Sequence, residues 1–306
     1  MWLLGTARAN LVFFPQPEDV RGGYAILSHT WGREEETFQK VQKLNEDSNS
    51  PFSPEEQLQS FLKLAEQHGY KYAWVDTCCI NKESSSELSE GINSMFRYYA
   101  LSNICCVYLS DVKYSDTANS DKMWVAFKKS RWHWRGWTLQ ELIASRMLVF
   151  YSEEWVCLGT KYELADRLEE ATQISAAVLR FESPFTDASI ATRISWAARR
   201  DTTRPEDAAY SLFGLFGVNM PTLYGEGRHA FCRLLMEISK TSRDPSIFLL
   251  GEGQYVHNLD RLKSYLQGNP QSQNRRHLLP LRPSATLRSV FYDPSARSQT
   301  GQNEVR

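Results

Sequence analysis

The sequence predicts an α/β protein in which a mostly parallel sheet is flanked by helices and followed by a C-terminal helical extension. Three observations predict it. Four short apolar runs have the length of strands and are near-continuous, not alternating, as strands buried on both faces read. Amphipathic helical patterns separate them, and alternation of the two argues for parallel pairing with helices on both sides. From about Thr160 onward only helical patterns follow.

The first run, GYAILSH (Gly23–His29), stops at the turn-like TWG, and the second, KYAWVDTCCIN (Lys71–Asn81), ends in Asn. Between them SPEEQLQSFLKLAEQHG (Ser53–Gly69) opens with a Ser-Pro-Glu-Glu start signal and closes on Gly. It sets Leu58, Phe61, Leu62 and Ala65 on one stripe. SELSEGINSMFRYYALS (Ser86–Ser102) aligns Leu88, Ile92, Met95 and Tyr99 on a single face, with Tyr98 and Tyr99 read as core. NICCVYLSD (Asn103–Asp111) and RMLVFYS (Arg146–Ser152) complete the strands, with the tryptophan-rich SRWHWRGWTLQELIAS (Ser130–Ser145) between them. In that segment Trp137 and Glu141 are four apart and share one helical face, while Leu139, Leu142 and Ile143 form a buried stripe elsewhere.

The extension holds helical patterns at 161–175, Ile190–Arg200, Asp207–Val218 and Arg228–Ser242, with the glycines of LYGEGR turning the chain before the last. Beyond Gly251 the chain is polar and lacks periodicity. The predicted organisation is therefore an α/β domain over 1–159, a helical extension over 160–250, and a linker or poorly ordered tail over 251–306.

Lys+Arg 35 against Asp+Glu 36 leaves a formal charge of −1, which gives no electrostatic case for nucleic acid or an anionic membrane. No apolar run approaches the roughly 18 residues of a membrane span. The start MWLLGTARANLVFF has no basic n-region, and Arg8 interrupts it, which argues against a secretory signal. Four of the six cysteines (Cys78, Cys79, Cys105, Cys106) form adjacent pairs in strand-like runs, where successive side chains point to opposite faces. Such pairs are poorly placed to share a metal, so reduced, buried thiols of a cytoplasmic protein are expected, and no metal site.

In open parallel sheets, ligands bind outside the carboxyl ends of the strands. Position alone therefore makes Ser28, His29, Trp31, Asp76, Asn81 and Asp111 candidates. Four of them have a plain alternative: Ser28 and His29 satisfying loop backbone, Trp31 shaping the turn, Asp76 capping a neighbouring loop. No G-x-G-x-x-G or Walker-type loop occurs, which disfavours a Rossmann dehydrogenase and a P-loop NTPase.

YAILSHTWG, WVDTCCIN, EGINSMFRYYA, RGWTLQEL and DAAYSLFGLFGVNMPTLYGEGRHAF, in this order over roughly residues 1–242, resemble the fungal HET (heterokaryon incompatibility) domain. That domain in turn looks like a divergent TIR domain, which has a flavodoxin-like sheet and a catalytic glutamate on the helix after the third strand. Trp137, Glu141 and Leu142 match the spacing of the TIR pattern S-x-W-C-x-x-E-L, with Thr138 where that family often has Cys. Counting strands places Glu141 after the third independently.

The resemblance implies fungal allorecognition or programmed cell-death signalling through cleavage of NAD at the nicotinamide–ribose bond. NAD or a related nucleotide would be the substrate, with no further cofactor. It also implies self-association or a signalling partner protein. Glu141 would be the catalytic carboxylate. Trp137 would wall the pocket or serve as core, and Arg135 would hold a phosphate or pair with an acidic neighbour. The competing expectation is a non-catalytic interaction module, with Glu141 exposed or tied in a salt bridge and an apolar patch elsewhere. Catalysis instead expects a cleft in which Glu141 faces Ser28 and the end of the second strand.

Overall fold

The apolar runs form the centre of a seven-stranded sheet in the computed structural model, which describes residues 1–32, 34–46, 56–116 and 120–250. The strands are β1 (Trp2–Gly5), β2 (Leu11–Phe13), β3 (Ala25–His29), β4 (Tyr72–Trp74), β5 (Ile104–Tyr108), β6 (Leu148–Tyr151) and β7 (Cys157–Thr160), in spatial order β2-β1-β4-β3-β5-β6-β7. The four predicted strands are the middle four and pair in parallel. Numbered among themselves they run 2-1-3-4, the flavodoxin-like order, whose switch point lies between its first and third strands. Here that point is the seam between β3 and β5.

Antiparallel strands that the apolar runs do not include extend each edge. The hairpin β1–β2 pairs with β4, and β7 pairs with β6. Leu3 and Leu4 of β1 are fully buried, so the hairpin is part of the core. The second predicted run is shorter than expected: the strand stops at Trp74, and Asp76, Thr77 and Cys78 form a turn. Cys78 and Cys79 thus leave the sheet, although all four paired cysteines are buried as expected, whereas Cys157 on the edge strand is exposed. No cysteine is in a disulfide.

The helices are α1 (Phe38–Glu46), α2 (Glu56–Gln67), α3 (Ser85–Leu101), α4 (Ser120–Lys129), α5 (Thr138–Ala144), α6 (Ala165–Thr172), α7 (Ala176–Leu179), α8 (Ile190–Ser195), α9 (Asp207–Tyr210), α10 (Phe213–Phe216) and α11 (His229–Thr241). The predicted start of α2 at 53–55 and the tail over 251–306 lie outside the described residues. Ser84 caps α3, its side chain accepting from the Glu87 N–H and satisfying one orphan donor of the first turn.

Alternation along the strands sorts the helices onto two faces. Tyr108 stacks on Trp155 and Tyr151 meets it at a tilt, and Trp155 meets Phe61 of α2 on one side. Phe150, next in sequence to Tyr151, meets Phe127 of α4 and Trp132 on the other. That second face also carries α3 and α5, which pack on each other, with α5 against β3.

The extension joins the same core. Gly136 N–H donates to Asp201 O at 2.9 Å, and α10 packs on α3. The LYGEGR turn has Gly225 at φ 107° and Gly227 at φ 59°, where a side chain would be strained. Both N–H groups converge on Glu206 Oε1, at 2.8 and 2.9 Å.

Candidate active site beneath the first parallel strand

Ser28 is the fourth residue of β3 and points to the helical face, where it is wholly buried. A buried hydroxyl needs partners, and it has two. The indole Nε1–H of Trp132 donates to Ser28 Oγ at 2.7 Å, and Ser28 Oγ in turn donates to Glu141 Oε2. Trp132 comes from a 3-10 turn (Arg131–Trp134) capped by Ser130, whose hydroxyl also donates to Asp111 Oδ1 at 2.7 Å. Asp111 therefore anchors the approach to α5.

Glu141 lies in α5, every residue of which is buried. The expected division into an apolar stripe and a separate Trp137–Glu141 face gives way to a helix enclosed on all sides, by the sheet, α3 and the extension. Tyr99 stands next to the carboxyl, its hydroxyl donating to Leu27 O at 2.9 Å. Burial pushes the Glu141 carboxyl up to about 8, with the Asp76 carboxylate adding to the rise and the Ser28 hydrogen bond and His29 opposing it.

His29 closes β3, with its Nε2 3.2 Å from Glu35 Oε2 and its Nδ1 buried without a hydrogen-bond partner. Burial by itself would lower this imidazole. The Glu35 hydrogen bond and the charges of Asp76, Glu35 and Glu141 outweigh burial and raise it. Glu35 is held in turn by the Gly32 N–H at 2.6 Å, which folds the TWG loop back over the strand end. Trp31 in that loop donates from Nε1 to Asp76 Oδ2 at 2.8 Å. Ser28, His29, Trp31, Asp76 and Glu141 are thus gathered at the carboxyl ends of β3 and β4.

Arg135 is near this group: its guanidinium carbon is 5.8 Å from the centre of the Trp31 ring, and its Nη1 donates to Thr203 Oγ1 at 3.0 Å. Trp137 turns toward the extension, half-buried and hydrogen-bonded to Asp207, whose other side meets the Tyr224 hydroxyl at 3.0 Å. Asn81 is elsewhere, accepting from Gln39 Nε2 at 2.8 Å and donating to Glu87 Oε1 at 3.3 Å. It follows the turn that ends β4 early, so it is not a strand-end residue. Glu141 is 6% exposed, and the pair it makes with Ser28 lies beneath the surface, not on the wall of the expected open cleft.

Sequence reasoning missed Trp132, Glu35 and Arg200. Trp132 sat in the tryptophan-rich run without a distinguishing mark, and Glu35 in a run of three acids. Arg200 is fully buried, donating from Nη1 to Arg135 O at 3.0 Å and Thr138 Oγ1 at 2.8 Å, with Nη2 unpartnered. Burial lowers it to about 9, against the pull of Glu141. Lys161 sits at the other end of α5, donating to Leu142 O at 2.9 Å and also to Ser145 O. Burial pushes the thiols of Cys105 and Cys106 up, the latter to about 12, so these two stay protonated near neutral pH.

The family model for heterokaryon incompatibility protein (HET) matches residues 24–125. Vegetative incompatibility protein HET-E-1 of Podospora anserina is 44% identical over 222 residues, which is 71% of this chain and 16% of that protein. No solved structure matches the chain.

Proposed function

The chain belongs to the heterokaryon incompatibility (HET) family, and from that premise we propose that it signals allorecognition or cell death in fungi by hydrolysing NAD, or a related nucleotide, at the nicotinamide–ribose bond. One observation carries the reading: a buried carboxyl, Glu141, is held by Ser28 at the switch point of a flavodoxin-like sheet, within the field of a second carboxylate, Asp76. Buried acids with strongly shifted protonation cluster at functional sites.

The chemistry asks for little more. Ordinary glycosidases need an acid to protonate the leaving oxygen. A nicotinamide leaving group is already cationic: the C1′–N bond breaks, its electron pair returns to the pyridine ring, and the base departs neutral. What must be stabilised is the positive charge left on the ribose, and an ionised Glu141 facing it does so. Charge stabilisation aimed at the transition state is commonly the largest catalytic contribution, on the order of 3–4 kcal/mol per group. Water then adds at C1′ and its proton passes to a carboxylate, a role for Asp76 once Trp31 releases it. Arrival of a cationic pyridinium beside Glu141 lowers its affinity for protons, so substrate itself favours the ionised form.

The ribose end enters where Trp31 meets Asp76, because Trp31 is 45% exposed while Ser28 and Glu141 are enclosed. Entry requires the TWG loop to release Asp76, and self-association that repositions this loop would switch the site on. The six free thiols fit a reducing, cytoplasmic setting. Among the described residues no helix is long and apolar enough to cross a membrane.

The closed state also favours a second reading, an interaction module that signals by proximity without turnover. Nicotinamide release from NAD by concentrated protein, with Glu141→Gln alongside, separates the two. Release by the wild type and none by an equally folded variant supports hydrolysis. No release by either, even in assemblies, leaves the interaction module.

A further inference from the structure

Two cations converge on the exposed ring of Trp31, at the mouth described above. Lys82 Nζ is 4.0 Å from the ring centroid and the Arg135 guanidinium carbon 5.8 Å, so the two charges are no more than 9.8 Å apart. They reach the ring from different parts of the chain, Lys82 from the segment between β4 and α3 and Arg135 from the turn before α5. Neither is engaged by a carboxylate within 4.0 Å among the described residues; the Arg135 side chain bonds only the neutral Thr203 hydroxyl, and Lys82 feels the charge of Glu35 at longer range. The same ring holds Asp76 through its Nε1, and Asp76 acts on Glu141. One indole therefore lies between two cations that no carboxylate contacts directly and the Asp76 carboxylate that acts on the buried Glu141.

We infer that Lys82 and Arg135 bind the diphosphate of the substrate and that Trp31 lies between this diphosphate subsite and the buried Glu141–Ser28 pair. The inference rests on the nucleotide-hydrolase reading for the identity of the ligand, and names what that reading leaves open: the site selects a nucleoside diphosphate moiety, and a nucleoside lacking it is a poor ligand. A forked guanidinium takes two phosphate oxygens side by side, and an ammonium adds a point charge on the neighbouring phosphate. Lifting a cation off an exposed aromatic face costs less than a charge-assisted bond to phosphate returns. Drawing Lys82 and Arg135 toward an anion also loosens the ring they hold, which couples phosphate binding to opening of the route past Asp76.

The test uses the full chain carrying Glu141→Gln, so that ligand is not consumed, and titrates it calorimetrically with ADP-ribose and with nicotinamide riboside. The expected result is ADP-ribose binding that weakens at least tenfold in Lys82→Ala and in Arg135→Ala, while the weak affinity for nicotinamide riboside stays the same. Lys82 is exposed and its replacement leaves the fold intact, which circular dichroism verifies. ADP-ribose affinity unchanged in both variants, or no ADP-ribose binding by the folded protein, overturns the inference. NAD turnover by the wild type is measured separately. Should turnover be absent while ADP-ribose binding depends on Lys82 and Arg135, the hydrolase reading fails and the diphosphate subsite stands.

Discussion

Glu141 is the residue at which burial meets the proposed chemistry. Its proton affinity is raised because the charged form has lost water and sits beside Asp76, which the Ser28 and Tyr99 hydroxyls and His29 only partly offset. A carboxyl moved from 4.5 to about 8 stabilises the fold fully only below its unfolded value. That stability is lost as pH rises from about 4.5 through 8. At pH 7 the penalty for the native state is on the order of 3 kcal/mol. Glu141→Gln, neutral at every pH, should therefore be more stable than the wild type near pH 7 and indistinguishable near pH 4.5. Denaturant unfolding of both proteins across that range measures it, and a constant difference would show that Glu141 ionises normally. Under the hydrolase reading, kcat/KM should rise with pH toward 8 instead of levelling near 5.

Ser28→Ala removes the group that both Trp132 and Glu141 use. It leaves a buried indole N–H without an acceptor, which should cost about 1–3 kcal/mol in urea unfolding. It also removes the bond that restrains the Glu141 shift, so the pH dependence should move further upward. A wild-type midpoint would mean that Trp132 finds another acceptor.

At the scale of elements, α5 is a seven-residue helix held from every side. Its start is fixed by Thr138, which accepts from Arg200, and its end by Lys161. The extension reaches it again through α10 and α3, where Gly214 is pressed against Phe96: a Cβ added there would lie 2.1 Å from the Phe96 Cβ. That atom is fixed to the α3 backbone and cannot swing aside. Gly214→Ala should overpack this contact by on the order of 3 kcal/mol and lower the thermal midpoint by several degrees. An unchanged midpoint would mean that α10 is loosely docked.

The four central strands and the longer helices α2, α3 and α11 were legible because their periodicity reports burial directly. The hairpin and β7 were not. At three or four residues each, they are too short to show a period, and they are strands because β4 and β6 offer open edges. The run at Lys71–Asn81 misled for a related reason: hydrophobicity reports burial, and a buried turn carries as much of it as a strand. Asn81 and Asp76 were both misread as part of that strand, and only Asp76 stays at the end of β4, while Ser28 and His29 do lie in β3.

For the whole molecule, the family match over 24–125 is shorter than the folding unit. A fragment cut at those residues lacks β1, which pairs β4, and β6, which pairs β5. It also lacks α5 with Glu141. Such a fragment should be unfolded or aggregate through its exposed strand edges, by circular dichroism and light scattering, whereas residues 1–250 should fold cooperatively. Cooperative folding of the fragment would mean that the hairpin and extension are accessory.

The sequence by itself determined the α/β class, the parallel centre and the helix that carries Glu141, because these follow from local periodicity and from the order of the motifs. The tertiary structure alone decided that Glu141 is buried and shifted, that Trp132 and Arg200 surround it, and that Lys82 and Arg135 share the ring of Trp31. Each of these joins residues that are far apart in the chain, and desolvation belongs to an enclosure that no single segment contains.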